Sequence, residues 1–447
     1  MATNILLITA DDMDARTPSV FGGPTGITPH IDALAAQGIR FERAHVVAAV
    51  CQPSRSAIMT GLVPHRNGAE GFEPIDDGIT LLTELLRDAG YQAGILGKVD
   101  HIQPVERFGW HTRRSMRELG MGRDPEEYRK AAAGFFEEMR SSETPWFLMA
   151  NAHDPHRPFH GSDEELERFS EAERGAIPAP SRTYAAGEEH PPGFLPDIPA
   201  VRQEYAEYLS SARRCDDVVG AVLGALEDAG YADDTLVLFL SDNGMAFPFA
   251  KANCYLRSTL TPLIMRWPGA IPQGVLDEDS FISSLDFFPT ICEAAGIPVP
   301  PGLDGGSLTG LVARSEPLTR RTMFTVFHET ARKRRLEMRC AQDAEYGYIW
   351  NQWSDGETEY LGENMNGRSW PGMLDAAGDD PAVAARAAFY LRRAPEELYD
   401  LRTDPDALVN LAQVEAFADV LADFRTRLLT WMSASGDPLT ERFRDLA

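Results

Sequence analysis

ILLITADD, residues 5–12, decides the fold. The run ILLITA (5–10) is short, apolar on both faces and closed by two aspartates, the pattern of a central strand buried on both sides. Four further runs share it: YQAGILG (91–97), PWFLMANA (145–152), TLVLFLSD (235–242) and TPLIMRW (261–267). Amphipathic stretches with helix-type ends lie between them. Thr28-Pro29 opens one that carries Ile31, Leu34 and Ala35 and stops at Gly38; Thr80 opens another that stops at Gly90. This alternation predicts an α/β fold, a mostly parallel sheet covered by helices on both faces. The polar, Pro-rich stretch 155–200 has little periodicity and reads as a surface excursion shaping the site. Helical spacing returns over Val201–Leu226, and after Arg321 the pattern changes. Segments 337–353 and 396–401 predict a small antiparallel sheet, and 414–432 a terminal helix.

The ends of the predicted strands carry the chemistry. The first runs into Asp11 and Asp12, the 235–242 strand into Asp242 and Asn243, the 91–97 strand into Lys98, and the 145–152 strand into His153. Ligand sites in open α/β sheets form beyond the carboxyl ends of strands, so these groups can converge. Three carboxylates and an amide oxygen repel one another unless a cation lies between them. Hard oxygen ligands of this kind favour Ca²⁺ or Mg²⁺. Singly, an Asp-Asp pair reads as a turn or helix cap and SDNG as a tight turn; the shared topological position favours the metal. CQPSR (51–55) predicts a helix start at Pro53-Ser54 with Cys51 at or just before it, where a thiol pKa falls. An isolated cysteine is more often a small buried hydrophobe, and a Cys-His thiol hydrolase is a second option. Arg55, Lys98, His101, His153 and Lys251 supply cationic and proton-moving groups.

Composition narrows the partners. The 447 residues hold 68 acidic against 42 basic side chains, a formal net charge of −26, which argues against nucleic acid or an anionic membrane. An anionic small substrate needs a locally positive pocket. Five scattered cysteines (Cys51, Cys215, Cys254, Cys292, Cys340) form neither a disulfide framework nor a zinc spacing. No apolar run approaches the ~18 residues that cross a membrane, and the start MATNILLITADD carries no basic leader, so the expectation is a cytoplasmic protein.

CQPSRSAIMTG resembles the signature of type I sulfatases, in which the cysteine of a C-x-P-S-R stretch is oxidised to Cα-formylglycine. ITADD, TPHIDALAAQGIRFERAH, GK at 97–98, AHDPHRPF (152–159), SDNG (241–244) and ELYDLRTDPDALVNLA (397–412) follow that family's order over nearly the whole chain. The resemblance implies an alkaline-phosphatase-like sandwich, with a large mixed, mainly parallel sheet between helices over residues 1–325. It also implies a small C-terminal subdomain, 326–447, with an antiparallel sheet and terminal helix. By the same resemblance Asp11, Asp12, Asp242 and Asn243 hold Ca²⁺, with Mg²⁺ as the other option, and Cys51, as formylglycine, is nucleophile and fifth ligand. Arg55 orients the formylglycine, Lys98 and Lys251 bind sulfate oxygens, and His101 and His153 position the nucleophile and protonate the leaving group. Maturation then requires a formylglycine-generating enzyme as partner; the oligomeric state stays open, with a homodimer as one option.

Within the family GLVPHRNG, HDPHR, SDNGMAFPFAKANCY and FYLRRAPEELYD resemble the sulfamidase (N-sulfoglucosamine sulfohydrolase) branch. That branch has its histidine two residues after the lysine, whereas GKVDH puts Asp100 there and His101 one further on. The expected substrate is a small anionic sulfamate or sulfated sugar, with His156, Arg157, His160, Arg392 and Arg393 as candidates for binding its remainder. Arylsulfatase and phosphonate monoester or phosphodiester hydrolase activities are the alternatives within the superfamily. A non-catalytic binding protein for sulfated ligands, with Cys51 unmodified, is the alternative of another class.

Overall fold

The computed structural model describes residues 2–315 and 318–446. An eight-stranded sheet runs through the larger part of the molecule in the order Thr112–Arg114, Gln92–Leu96, Trp146–Asn151, Asn4–Ala10, Thr235–Ser241, Leu263–Arg266, Ile39–Phe41, Val275–Asp277. Asn4–Ala10 lies at its centre, parallel to Trp146–Asn151 on one side and to Thr235–Ser241 on the other. Every residue of this strand is buried, and successive side chains enter different cores. Leu6, Ile8 and Ala10 pack with the helices Pro125–Ser142 and Pro199–Asp228, whereas Ile5 and Leu7 pack with Leu82, Leu86, Phe287 and Phe288 on the opposite face. Burying each such aliphatic side chain contributes about 1.5–3 kcal/mol, which is why a strand with two covered faces is apolar throughout. The α/β sandwich expected from the sequence is the fold observed.

Leu263–Arg266 makes the sheet mixed, as the family resemblance implies. It pairs antiparallel with both Thr235–Ser241 and Ile39–Phe41, although its residues are as buried as those of a central parallel strand. Burial on two faces sets an apolar composition but not a direction. The 155–200 excursion also holds two short helices, Asp163–Arg168 and Glu171–Gly175, each capped by a serine side chain.

A second, four-stranded antiparallel sheet follows in the order Met323–Glu329, Arg335–Gln342, Tyr346–Asn351, Glu396–Asp400, and the helix Ala418–Ser435 covers it. The expected boundary between residues 325 and 326 falls inside the first of these strands. The sheet is fixed to the larger part by buried polar groups around His65. The Arg339 guanidinium pairs with Asp437 and Glu337, and His65 Nδ1 lies 3.8 Å from Asp437 Oδ2. Burial pushes the His65 imidazole down to about 4, against the pull of Asp437 and with Arg339 and His328 adding to the shift. The fold therefore favours neutral His65: its contribution is complete above pH 6.5 and is lost as pH falls through 6.5 towards 4. Linkage gives about 3 kcal/mol lost by pH 4. Denaturant unfolding of wild type and His65→Gln at pH 7.5 and pH 4 measures it, the variant being expected to lose less on acidification.

Candidate active site

Parallel strands in register deliver their C-terminal residues to one place. Ala10 pairs with Ser241 and Thr9 with Asn151, so Asp11-Asp12 and Asp242-Asn243 leave the sheet side by side, with the 152–158 loop next to them. The turns that follow hold backbone conformations unusual for side-chain-bearing residues: Asp12 (φ 67°), Lys98 (φ 53°) and Ala252 (φ 61°) are left-handed. Such positions persist only where the surroundings impose them, and they cluster at functional sites.

Cys51 is the first residue of the buried helix Cys51–Thr60 rather than preceding it, and Gly61 closes that helix in the left-handed conformation. Its Sγ lies 3.4 Å from Asp11 Oδ1 and 3.3 Å from Lys251 Nζ. Burial pushes the thiol well above its usual range; Asp11, Asp242 and Asp12 add to this and Lys251 opposes it. This reverses the expectation drawn from the helix start, because desolvation and three carboxylates outweigh a helix dipole. With no cation in the cluster, that setting disfavours the thiolate that a thiol hydrolase uses.

Around the thiol, acids and bases interlock. Arg55 Nη2 is 2.8 Å from Asp242 Oδ2 and 3.4 Å from Asp11 Oδ2, while its Nη1 donates to Thr9 Oγ1 at 2.8 Å. Lys98 pairs with Asp11, and Lys251 Nζ donates to Asp12 Oδ1 at 2.6 Å. Burial alone would raise the Asp11 carboxyl, but Lys98, Arg55 and Lys251 together hold it well below the carboxylate range. Asp12 goes the other way: burial pushes it up to about 7, with Lys251 opposing and Asp11 and Asp242 repelling. Burial likewise raises Asp242, against Arg55.

The donor set fits a hard divalent cation. Ligand atoms of Asp11, Asp12, Cys51 and His156 lie within 4.8 Å of one another. Asp12 Oδ2 and Asn243 Oδ1 are buried with no hydrogen-bond partner among the described residues. Unsatisfied oxygens of this kind are costly unless a ligand takes them up.

His156 lies closer to the acidic cluster than a role in holding the rest of a substrate would require, its Nε2 3.8 Å from Asp12 Oδ2. His153 stacks on it at 4.7 Å between ring centroids. His101 lines the pocket while Asp100 is exposed, so the histidine of GKVDH is the residue presented to the site. Burial, with Lys98 or Lys251 adding to it, holds all three imidazoles well below their usual range and hence neutral. The pocket over Cys51, about 250 Å³, is also lined by Arg157, Phe72 and Glu363.

Three candidate binders lie elsewhere. His160 Nδ1 sits 3.5 Å from Arg214 Nη1, behind the Asp154–Arg214 pair. Arg392 is exposed and paired with Glu359. Arg393 is fully buried, Nε on Glu397 at 2.6 Å and Nη1 on Asn253 Oδ1 at 2.8 Å. It acts through a neighbour, because Asn253 Nδ2 donates to the Lys251 carbonyl at 3.2 Å. Asn364 Nδ2 holds that same carbonyl at 2.6 Å, and Tyr360 donates to the Ala252 carbonyl at 2.9 Å. Neither Asn364 nor Tyr360 belongs to a motif in the sequence, and 113 and 108 residues separate them from the groups they hold.

Comparison with known proteins agrees with this geometry. The sulfatase family model matches residues 3–297, and the C-terminal model of N-sulphoglucosamine sulphohydrolase matches 246–357. The chain belongs to the sulfatase family. Human N-sulphoglucosamine sulphohydrolase is 31% identical over 97% of this chain and 91% of its own length. An ulvan-active sulfatase from Formosa agariphila is 26% identical over 97% of this chain and 75% of its own. Among solved structures, BT4656 in complex with its substrate D-glucosamine-2-N,6-O-disulfate superposes with a TM-score of 0.72 at 19% identity, covering 98% of this chain and 99% of that one. The phosphonate monoester hydrolase of Agrobacterium radiobacter gives 0.69 at 20%, covering 97% and 96%, a likeness of fold alone. The phosphonate hydrolase alternative is thus not favoured. This sulfatase is a hydrolase with an acidic, metal-competent cluster at the ends of its central strands. Among its described residues no helix is long and apolar enough to cross a membrane.

Proposed function

We propose that this sulfatase cleaves the S–N bond of a small N-sulfated amino sugar, using Cys51 converted to formylglycine and Ca²⁺ held by Asp11, Asp12, Asp242 and Asn243. The observation that carries the reading is the setting of Cys51 Sγ, which stands where a formylglycine hydroxyl would, between a carboxylate of the acidic cluster and the Lys251 ammonium. The 31% identity to N-sulphoglucosamine sulphohydrolase supports the choice of substrate. A divalent cation held there would supply Lewis acidity to the transfer of the sulfuryl group. A formylglycine hydrate supplies one hydroxyl to attack sulfur and a second whose collapse to the carbonyl expels sulfate, a release that a thiol lacks.

The chain's own groups do the rest. Lys98 and Lys251 compensate charge on the SO₃ group during transfer, fixed in place before the reaction as electrostatic stabilisation requires. Arg55, held by Thr9 and Asn151, keeps residue 51 and Asp242 in register. A nitrogen leaving group departs only once protonated, and neutral imidazoles at His101, His153 and His156 can take up a hydroxyl proton and return it there. The sum is R–NH–SO₃⁻ + H₂O → R–NH₃⁺ + SO₄²⁻.

Mass spectrometry of the peptide carrying residues 51–55, from protein produced in its native host, tests the nucleophile. Sulfur replaced by an aldehyde oxygen is the expected result, and an intact thiol would sink the mechanism. Turnover of N-sulfoglucosamine measured beside an aryl sulfate tests the substrate: an enzyme that hydrolyses only the aryl ester is an arylsulfatase.

A further inference from the structure

A second cavity, about 430 Å³, adjoins the pocket over Cys51 and shares Arg157, Glu164 and Asn366 with it. The remainder of a substrate held by its sulfate group has this direction open to it. The cavity is lined by five carboxylates, Asp163, Glu164, Glu167, Glu204 and Glu207, against two guanidinium groups, Arg157 and Arg368.

The two arginines do not neutralise that wall. Glu204 is fully engaged: Oε1 takes Arg157 Nη1 and the Arg368 amide, and Oε2 takes the Ser369 amide. Asp163 Oδ2 accepts from Arg368 Nη2 at 2.7 Å. Glu207 is 5% exposed, and its Oε1 accepts from Gln203 at 2.9 Å with Arg368 Nε at 3.3 Å. Its Oε2 has no hydrogen-bond partner among the described residues. Glu164 Oε2 likewise accepts no hydrogen bond, with Arg157 Nη1 at 3.5 Å, while its Oε1 lies 3.7 Å from Arg168 Nη1. Glu363, which lines the pocket over Cys51, accepts from the Ala331 amide through Oε2 and leaves Oε1 without a donor. Buried carboxylate oxygens that the protein leaves unsatisfied call for a donor from outside. Burial raises the Glu207 carboxyl, with Gln203 and Arg368 opposing and Glu204 adding to the shift.

We propose that this carboxylate-rich cavity is a subsite for the hydroxyl groups of the leaving sugar, and that it selects against substrates carrying a second sulfate. The naming of the sugar rests on the sulfamidase reading; the charge preference does not. A sulfate there meets like charge from the carboxylate wall, whereas an amine or hydroxyl supplies the missing donors. The subsite would set this chain apart from BT4656, whose substrate carries both 2-N and 6-O sulfates.

Calorimetric titration of the intact protein, with inorganic sulfate saturating the pocket over Cys51, with D-glucosamine, N-acetyl-D-glucosamine and D-glucosamine 6-sulfate tests the charge preference without turnover. In parallel, kcat/KM is measured for N-sulfoglucosamine and its 2-N,6-O-disulfate. Glucosamine is expected to bind about tenfold more tightly than its 6-sulfate, with the neutral sugar between, a factor typical of one well-placed charge interaction. Glu164→Gln and Glu207→Gln, each first shown to melt near wild type, are expected to shrink that ratio, as is added salt. Equal affinity for glucosamine and its 6-sulfate, an undiminished ratio in both variants, or no measurable binding of any of the three would overturn the subsite. A preserved ratio in an enzyme that hydrolyses only aryl sulfates would overturn the sulfamidase reading and leave the subsite standing.

Discussion

Alanine at position 51 is expected to lower turnover by at least about 10⁴-fold, roughly 5.5 kcal/mol of lost transition-state stabilisation, with the protein still folded. Sγ is one buried atom at the start of a helix whose remaining residues keep their packing, so the thermal midpoint should fall only slightly. The sugar and sulfate contacts from Lys98, Lys251 and the pocket walls survive, so binding of sulfated ligands should persist while chemistry stops. Serine at the same position is the more telling variant. It offers an oxygen that can attack sulfur but no second hydroxyl to collapse, so it is expected to accept one sulfuryl group and stall as a covalent adduct visible by mass spectrometry. Wild-type turnover in the alanine variant would remove Cys51 from the mechanism altogether.

The parts of this site that were legible in the sequence are those fixed by strand ends. Asp11, Asp12, Asp242 and Asn243 each follow an apolar run directly, and the parallel pairing of those runs brings them together without further information. What stayed hidden depends on contacts between distant segments. The loop around Lys251 is held by Asn364 and Tyr360, which lie near a short 3-10 turn with no periodic signature. The burial of Arg393 against Asn253, 140 residues away, leaves no local trace that would separate it from a substrate-binding arginine. The direction of Leu263–Arg266 is hidden for a related reason, since composition reports burial and not polarity. The thiol shift was misread because a helix dipole is a local feature, whereas the opposing carboxylates come from two other strands.

Charge arithmetic at the cluster leads to the second large effect. Asp11, Asp12 and Asp242 are matched one for one by Lys98, Lys251 and Arg55, so the protein's own groups nearly balance the site. A sulfate brought to Lys98 and Lys251 adds negative charge that those ammonium groups then share with Asp11 and Asp12, leaving the site short by two positive charges. A divalent cation restores the balance, and Asp12 Oδ2 and Asn243 Oδ1 are the oxygens with nothing else to do. Cation and sulfate should therefore bind cooperatively. Dialysis against a chelator is expected to cut turnover at least about 10³-fold, as expected where a metal supplies several kcal/mol of charge stabilisation. Inorganic sulfate should bind the stripped protein at least about tenfold more weakly, and Ca²⁺ affinity should rise by that same factor when sulfate is present, because the coupling is reciprocal. Calorimetry in both orders of addition checks the equality, and repeating it with Mg²⁺ identifies the ion that restores turnover. Full activity in excess chelator would contradict the metal site, whereas a cation that restores activity without changing sulfate affinity would confine its role to organising the nucleophile.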